Sequence, residues 1–360
     1  VVSKARLNAM PAFSLLARNQ RTGILLNITD HVVQVARLSR LDEKPLIVDS
    51  FAELPVGDEE AVAQWLRASF PEKAHGYLPG YCGFHPPERV LLRETINTRR
   101  MTEPGYLPGL LAEQAKLTST KDWQVCALHP IEGELFTPAT PSRPGLMLGL
   151  PLGGVRDLQQ RLRRLGIRPR RLEVGSVVLL GALSRYMRET AYPHAVVVCE
   201  IGQTQTRIYF VARDGVHTPA TLPHGLLSIH EAAMKELGVP DIAAARQQLA
   251  DPTAELRAHS RRLVRMLTRH LKPAVDYFEM QTGQPIGALY CAHLPSRLAW
   301  LEEALCTAID LEFLVPDLAA WLSLTGLELA PDTAIPPRSW FQALSLVAEL
   351  APAAAHEAKS

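Results

Sequence analysis

The chain has 360 residues, 47% hydrophobic and 21% charged, a globular composition with room for two or three compact units and no sign of disorder. Its formal net charge of +1 leaves no whole-chain field to draw it to nucleic acid or acidic lipid. The five cysteines, Cys82, Cys126, Cys199, Cys291 and Cys306, form no CxxC pair and suit small buried side chains in a reducing compartment.

No segment reaches the roughly 18 unbroken apolar residues of a membrane span. The apolar stretch over 174–183 is too short. Lys4 and Arg6 are followed only by a brief apolar patch, not a signal-peptide pattern, so a cytoplasmic chain is expected. Residues 1–21 read as an appendage. Residues 23–28 then form an apolar run of strand length, and Thr29-Asp30-His31 reads as a turn. Val33 and Val35 alternate with Gln34 and Ala36 as a half-buried strand, and 46–51 gives a third strand after the break at Lys44-Pro45. Asp58 is placed to cap a helix to about Phe70, with Val62, Trp65, Leu66 and Phe70 on one face.

Between 90 and 166 the pattern predicts strands at 90–96 and 123–128, a helix at 107–117 and an apolar stretch at 146–150. Val155, Leu158, Leu162 and Leu165 then mark a helix face ended by Gly166. The opening unit recurs from 195: an apolar strand over 195–201, a turn over 202–205 and an alternating strand over 207–212. A tight turn at Arg213-Asp214-Gly215 leads to a strand over 216–222 and a helix closed by Gly238. Leu256, Leu263, Leu267, Leu271, Ala274 and Phe278 outline one long amphipathic helix. A short strand at 288–291 and a helix at 297–309 follow. Residues 331–338 read as a proline-rich linker, and Trp340, Phe341, Leu344 and Val347 as one helix face before an Ala-rich end expected to be mobile.

Two copies of a strand-strand-strand-helix unit imply α/β architecture with mixed sheets in two related halves. A tight turn between strands aims backbone N–H groups at one point, so two facing turns can cradle phosphates, and an acid ending the first strand can hold a hydrated metal ion. The same pattern also describes two plain hairpins.

The ordered motifs from about 22 to 322 resemble the actin-like proteins of type IV pilus assembly known as PilM, and more distantly the cell-division protein FtsA. The family's first turn, roughly GIDIGSSSVK, aligns with Leu25-Leu26-Asn27-Ile28-Thr29-Asp30-His31-Val32-Val33-Gln34. Its second, DIGASST, aligns with Glu200-Ile201-Gly202-Gln203-Thr204-Gln205-Thr206. RDGRPLFTRSLPIGG is similar to Arg213-Asp214-Gly215 through Leu222-Pro223-His224-Gly225, GLKPKRVEV to 165–174, and the helix before the adenosine loop to Ala274-Val275-Asp276-Tyr277-Phe278.

The resemblance implies a duplicated actin-like (ribonuclease H-like) fold. The expected first lobe covers 22–77 and 151–194, with a small α+β subdomain inserted at 78–150. A second lobe over 195–325 and a linker with an amphipathic tail over 326–360 complete it. It also implies a nucleotide site at Asn27, Thr29, Asp30, His31, Glu200, Gly202, Gln203, Thr204, Gln205, Gly225, Ala292 and His293. That site departs from the family pattern. The first acid is Asn27, the first-turn glycine is the branched Thr29, and Asp30 would repel phosphate. The glycine-rich adenosine loop SGGGA becomes Ala292-His293-Leu294-Pro295-Ser296, and the second glycine of the GG pair is Leu226. The expectation is weak or absent ATP binding, no hydrolysis, no catalytic residues and no metal, with Glu200 the one weak metal candidate.

The implied role is a cytoplasmic scaffold peripheral to the inner membrane, receiving the N-terminal cytoplasmic peptide of a single-span membrane partner. An ATP-binding or ATPase member of the superfamily, a type II secretion platform component and a self-associating filament are the alternatives. No GxSxG elbow surrounds Ser176, Ser184 or Ser228. His224 and His230 lie in no metal-binding frame, and Asp157, Glu173, Glu200 and Asp214 show no paired-acid spacing. Two basic clusters, at 156–171 and 257–269, lie opposite leucine stripes, as solvated faces do. Contact with acidic lipid or an acidic partner is the other reading of them, and no interleaved aromatics favour nucleic acid. The 340–347 helix face suits either docking a partner or packing on the body.

Overall fold

The computed structural model describes residues 22–71, 76–251 and 253–348, so the appendage over 1–21 and the Ala-rich end lie outside the described residues. From Thr22 the chain forms β1 (Thr22–Ile28), β2 (Val32–Ser39), β3 (Leu46–Pro55), α1 (Glu59–Ser69) and β4 (Leu78–Phe84). Asp58 caps α1 by accepting from the Ala61 N–H (2.8 Å). Next come β5 (Val90–Ile96), α2 (Tyr106–Ala115), β6 (Trp123–Leu128) and β7 (Arg143–Pro151), then α3 (Leu152–Arg164), β8 (Ile167–Val174) and α4 (Gly175–Glu189). The apolar 174–183 stretch is thus the start of α4, whose Leu179, Leu180 and Leu183 are buried.

The second half contains β9 (Ala195–Ile201), β10 (Thr206–Ala212), β11 (Gly215–Leu222), α5 (Leu226–Leu237), α6 (Ile242–Ala250), α7 (Ala254–Leu263), α8 (Arg265–Thr282) and β12 (Ile286–Ala292). It continues through α9 (Trp300–Ile309), β13 (Glu312–Phe313), α10 (Leu318–Thr325), β14 (Leu327–Leu329) and α11 (Phe341–Ser345).

The large sheets repeat one topology. In the first, β3-β2-β1 are antiparallel neighbours, and β4 and β8 follow in parallel beside β1. In the second, β11-β10-β9 are antiparallel, and β12 and β13 follow in parallel beside β9. Every residue of β9 is buried, which is why its sequence is a continuous apolar run instead of an alternating one. The third sheet, β5-β7-β6, is antiparallel and leans on the second half. There Arg93 pairs with Asp214 (2.9 Å) and the Val216 N–H donates to the Pro130 carbonyl (3.0 Å). Gly215, at φ 107°, turns directly beneath Pro130.

Three expectations change. The single helix over 256–278 is two, broken at Val264, because the leucine stripe continues across the break and so hides it. The helix at 297–309 begins at Trp300, after one tight turn at Ser296–Leu298. The 331–338 linker is tied to the body: β14 adds to the first sheet beside β3, Thr333 donates to the Asp49 carbonyl (2.6 Å), and Arg338 pairs with Glu302 (2.6 Å).

Candidate functional site

The matched registers place Asn27 and Glu200 at equivalent positions, each next to last in the first strand of its half. The turns that follow them face each other. In the first, the Thr29 hydroxyl accepts from the N–H groups of His31 (3.3 Å) and Val32 (3.1 Å), so those two donors are already used. In the second, Gly202 and Gln203 offer their carbonyls to the N–H groups of Leu226 and Leu227 at the start of α5 (2.9 Å each). Gly225 must be glycine for this approach, since a Cβ there would lie 2.5 Å from the Gly202 oxygen.

Side chains stitch the turns together. His31 Nε2 donates to the Ile201 carbonyl (2.8 Å), which leaves Nδ1 to accept from Gln203 Nε2 (2.9 Å). Gln203 also donates to the Asp30 carbonyl (3.1 Å). The Asp30 carboxylate lies over Gly202, where a Cβ would meet its Oδ2 at 2.7 Å. Thr204 is exposed, and Gln205 reaches the Pro87 carbonyl (3.4 Å) instead of joining this network.

Beneath the turns lies a buried polar cluster. Glu200 is in direct contact with Arg89, with Arg207 Nη1 and His293 Nδ1 each 3.8 Å away. Arg89 comes from the loop after β4, and its Nη1 donates to the Pro86 carbonyl (2.7 Å). Ala292 is the β12 neighbour of Glu200 in register, which sets His293 against the cluster with its backbone in the left-handed region (φ 69°). The His85 and His293 rings meet edge to face at 3.9 Å, and His85 Nε2 lies 3.2 Å from Asn27 Oδ1. Asn27 in turn donates to Gln34 (3.0 Å).

His85, Glu200 and His293 bring three ligand-type atoms within 4.8 Å of one another. Two guanidinium groups already face that carboxylate, however, and a divalent cation would add charge to a site where positive charge is costly to bury. Burial first, then Arg89 and Arg207, holds His85 far below its ordinary value. Burial, with His85 and Arg89 next, does the same for His293, and burial also lowers His31. All three rings are neutral at pH 7.

Between the lobes runs the chain's own C-terminal segment. Residues 340–348 are all buried. Trp340 packs on Phe51 (4.9 Å between centroids), and Phe341 lies between Trp321, Tyr186 and Tyr290. Leu346 rests on Gly83, where an added Cβ would meet it at 2.5 Å. Gln342 Nε2 lies 3.3 Å from His85 Nε2. At the segment's start, Glu53 accepts from Ser339 (3.2 Å) and from the hydroxyl (3.0 Å) and N–H (3.2 Å) of Ser296. The cavity left between Arg338, Glu302, Ser296 and Tyr290 holds about 60 Å³, against roughly 300–1,000 Å³ for a small-molecule pocket. Packing on the body is therefore what the 340–347 face does in this structure.

No family model and no curated protein matches the sequence. Solved structures do match. The chain is similar to a structure described as a PilM-PilN type IV pilus biogenesis complex, with a TM-score of 0.59 and 16% identity over 90% of this chain and 97% of that one. The fold is actin-like. Weaker likenesses include a protein of actin-like ATPase fold from Bacteroides thetaiotaomicron (TM-score 0.43, 9% identity, 91% and 95% covered). Another is the cytoplasmic domain of EpsL, an inner-membrane component of the Vibrio cholerae type II secretion system (0.40, 10%, 90% and 94%).

The actin-like cleft gathers Asn27, Thr29, Asp30, His31, Glu200, Gly202, Gln203, Gly225, Ala292 and His293 at one junction and leaves Thr204 outside it. Sequence reasoning missed His85, Arg89, Arg207, Gln342 and Leu346. His85 and Arg89 flank a Pro-Pro-Glu loop that reads as surface, and Gln342 and Leu346 belong to a segment far along the chain.

Arg89→Ala leaves Glu200 buried beside the more distant Arg207. Urea unfolding is expected to show a loss of about 3–5 kcal/mol, with much of it regained in Arg89→Met/Glu200→Gln. For pH, the lowered histidines give stability that is present above their ordinary 6.5 and lost as pH falls below it. Glu302, raised to about 7 by burial, acts oppositely between 4.5 and that value and offsets part of the loss. The thermal midpoint is expected to fall from pH 7 to 5, and to fall less in His293→Asn, a residue that tolerates the left-handed backbone.

Proposed function

We propose that this chain is a non-catalytic actin-like scaffold in an inner-membrane assembly platform of the pilus or type II secretion kind. It works at the cytoplasmic face and holds the N-terminal cytoplasmic peptide of a single-span membrane protein. The observation that carries this reading is the filled cleft. Where an actin-like ATPase would seat phosphates and metal, Thr29 takes the His31 and Val32 N–H groups, Asp30 covers Gly202, Arg89 neutralises Glu200 and Leu346 sits on Gly83. A triphosphate would have to approach the Asp30 carboxylate and displace a segment anchored by Trp340, Phe341 and Leu344. Each of those side chains contributes about 1.5–3 kcal/mol by burial. The residues present do not fit a nucleotide with its metal ion. The chain's own residues hold the two halves together, which makes the fold available as a rigid platform. Likeness to a PilM-PilN complex supports the choice of partner class, and among the described residues no helix is long and apolar enough to cross a membrane.

Calorimetric titration of the full chain with ATP and magnesium is expected to give no heat at millimolar ligand. Micromolar affinity, about −8 kcal/mol, would overturn the scaffold reading and reopen the ATPase one. Synthetic peptides copying the N-terminal cytoplasmic segments of single-span proteins encoded beside this chain are expected to include one that binds at micromolar concentration. Binding by none of them would remove the partner assignment.

A further inference from the structure

The two arginine clusters are alike in sequence and differ in the structure. In the first, Arg161 and Arg164 meet Glu59 (3.2 and 3.5 Å), Arg170 meets Asp42 (2.8 Å) and Arg171 meets Glu173 (2.5 Å). No exposed large apolar side chain lies on α3 among the described residues. In the second, Arg257, Arg261, Arg265 and Arg269 recur every fourth residue along α7 and α8 and are exposed, with no ion pair among the described residues. Their neighbours Arg262 and Lys272 are paired, with Glu236 (3.3 Å) and Asp276 (3.6 Å).

The side of α8 away from its buried Leu267, Leu271, Val275 and Phe278 carries apolar groups as well as charge. Tyr277 is 59% and Met280 71% exposed, and Met266 is also exposed. Exposed methionine and tyrosine on the helix that carries Arg265 and Arg269 make a mixed surface. Its cations are attracted by an anionic headgroup layer, and its apolar tips gain by entering the layer beneath. Met266 follows Arg265 directly in sequence. Duplex DNA would use the charge and leave Tyr277 and Met280 in water.

We propose that the outward ridge of α7 and α8 is a docking surface for an anionic bilayer, holding the scaffold against the membrane independently of any protein partner. This goes beyond the platform reading and does not rest on it, because the test uses lipid alone.

The test is flotation of the full chain with phosphatidylcholine vesicles, with and without phosphatidylglycerol. Binding is expected only to the anionic vesicles and is weakened by salt. Arg261→Glu/Arg265→Glu/Arg269→Glu is expected to lower partitioning by about a hundredfold or more. Tyr277→Ser/Met280→Ser is expected to lower it by a smaller factor that persists at high salt. Arg156→Glu/Arg163→Glu/Arg168→Glu, on α3 and the start of β8, serves as the charge-matched control and is expected to leave binding unchanged, with circular dichroism confirming that each variant folds. No binding to anionic vesicles, equal binding to neutral ones, or equal losses from the α3 and α8 reversals would overturn the proposal. So would duplex DNA or an acidic peptide competing the chain off the vesicles completely in Tyr277→Ser/Met280→Ser and wild type alike.

Discussion

An actin-like fold has two halves hinged about a cleft, and something must fill that cleft if the halves are to keep one arrangement. Here the filling is polypeptide. The segment over 340–348 brings Trp340, Phe341, Leu344, Leu346 and Val347 into one core with residues of both sheets, including Leu26 and Val35 from the first and Val198 and Tyr290 from the second. Burial of this size is comparable to the free energy of micromolar ligand binding. It is also covalently tethered, so only the ordering of the segment opposes it. The anchors at its start, Arg338 on Glu302 and Ser339 on Glu53, fix where the segment enters the cleft.

The polar cluster under the turns follows from the same constraint. Glu200 is a carboxylate that burial alone would make costly, and Arg89 and Arg207 supply the opposite charge. Arg89 comes from the first half's loop and Arg207 from the second half's β10, so the pair is also a bond between halves. Neutral His85 and His293 complete the packing without adding charge. Above it the turns are joined directly, Gln203 donating to the Asp30 carbonyl and His31 to the Ile201 carbonyl.

Outside the cleft, charge is handled in two ways. Arg161, Arg164, Arg170 and Arg171 find acids on α1, on the turn before β3 and on β8 itself. The arginines at 257–269 include four that are exposed with no ion pair among the described residues, and α8 also exposes Tyr277 and Met280. Composition cannot separate the two clusters, because ion pairing depends on which elements lie alongside.

The repeated strand-strand-strand-helix unit was legible in the sequence because its signals are local: apolar runs at 23–28 and 195–201, alternation at 33–36 and 207–212, and turn glycines and caps such as Gly215, Gly238 and Asp58. The turn residues from Asn27 to His31 and from Glu200 to Gln205 could be placed by their position in that unit. β8 was hidden by its charge, since Ile167-Arg168-Pro169-Arg170-Arg171 does not read as a strand until β4 and the acids around it are in place. Only the tertiary structure decided what occupies the cleft. Leu346 meets Gly83, Gln342 meets His85 and Arg89 meets Glu200 across hundreds of positions or between separate halves. No periodicity records such pairings, because each is fixed by the closing of the whole chain and not by its neighbours.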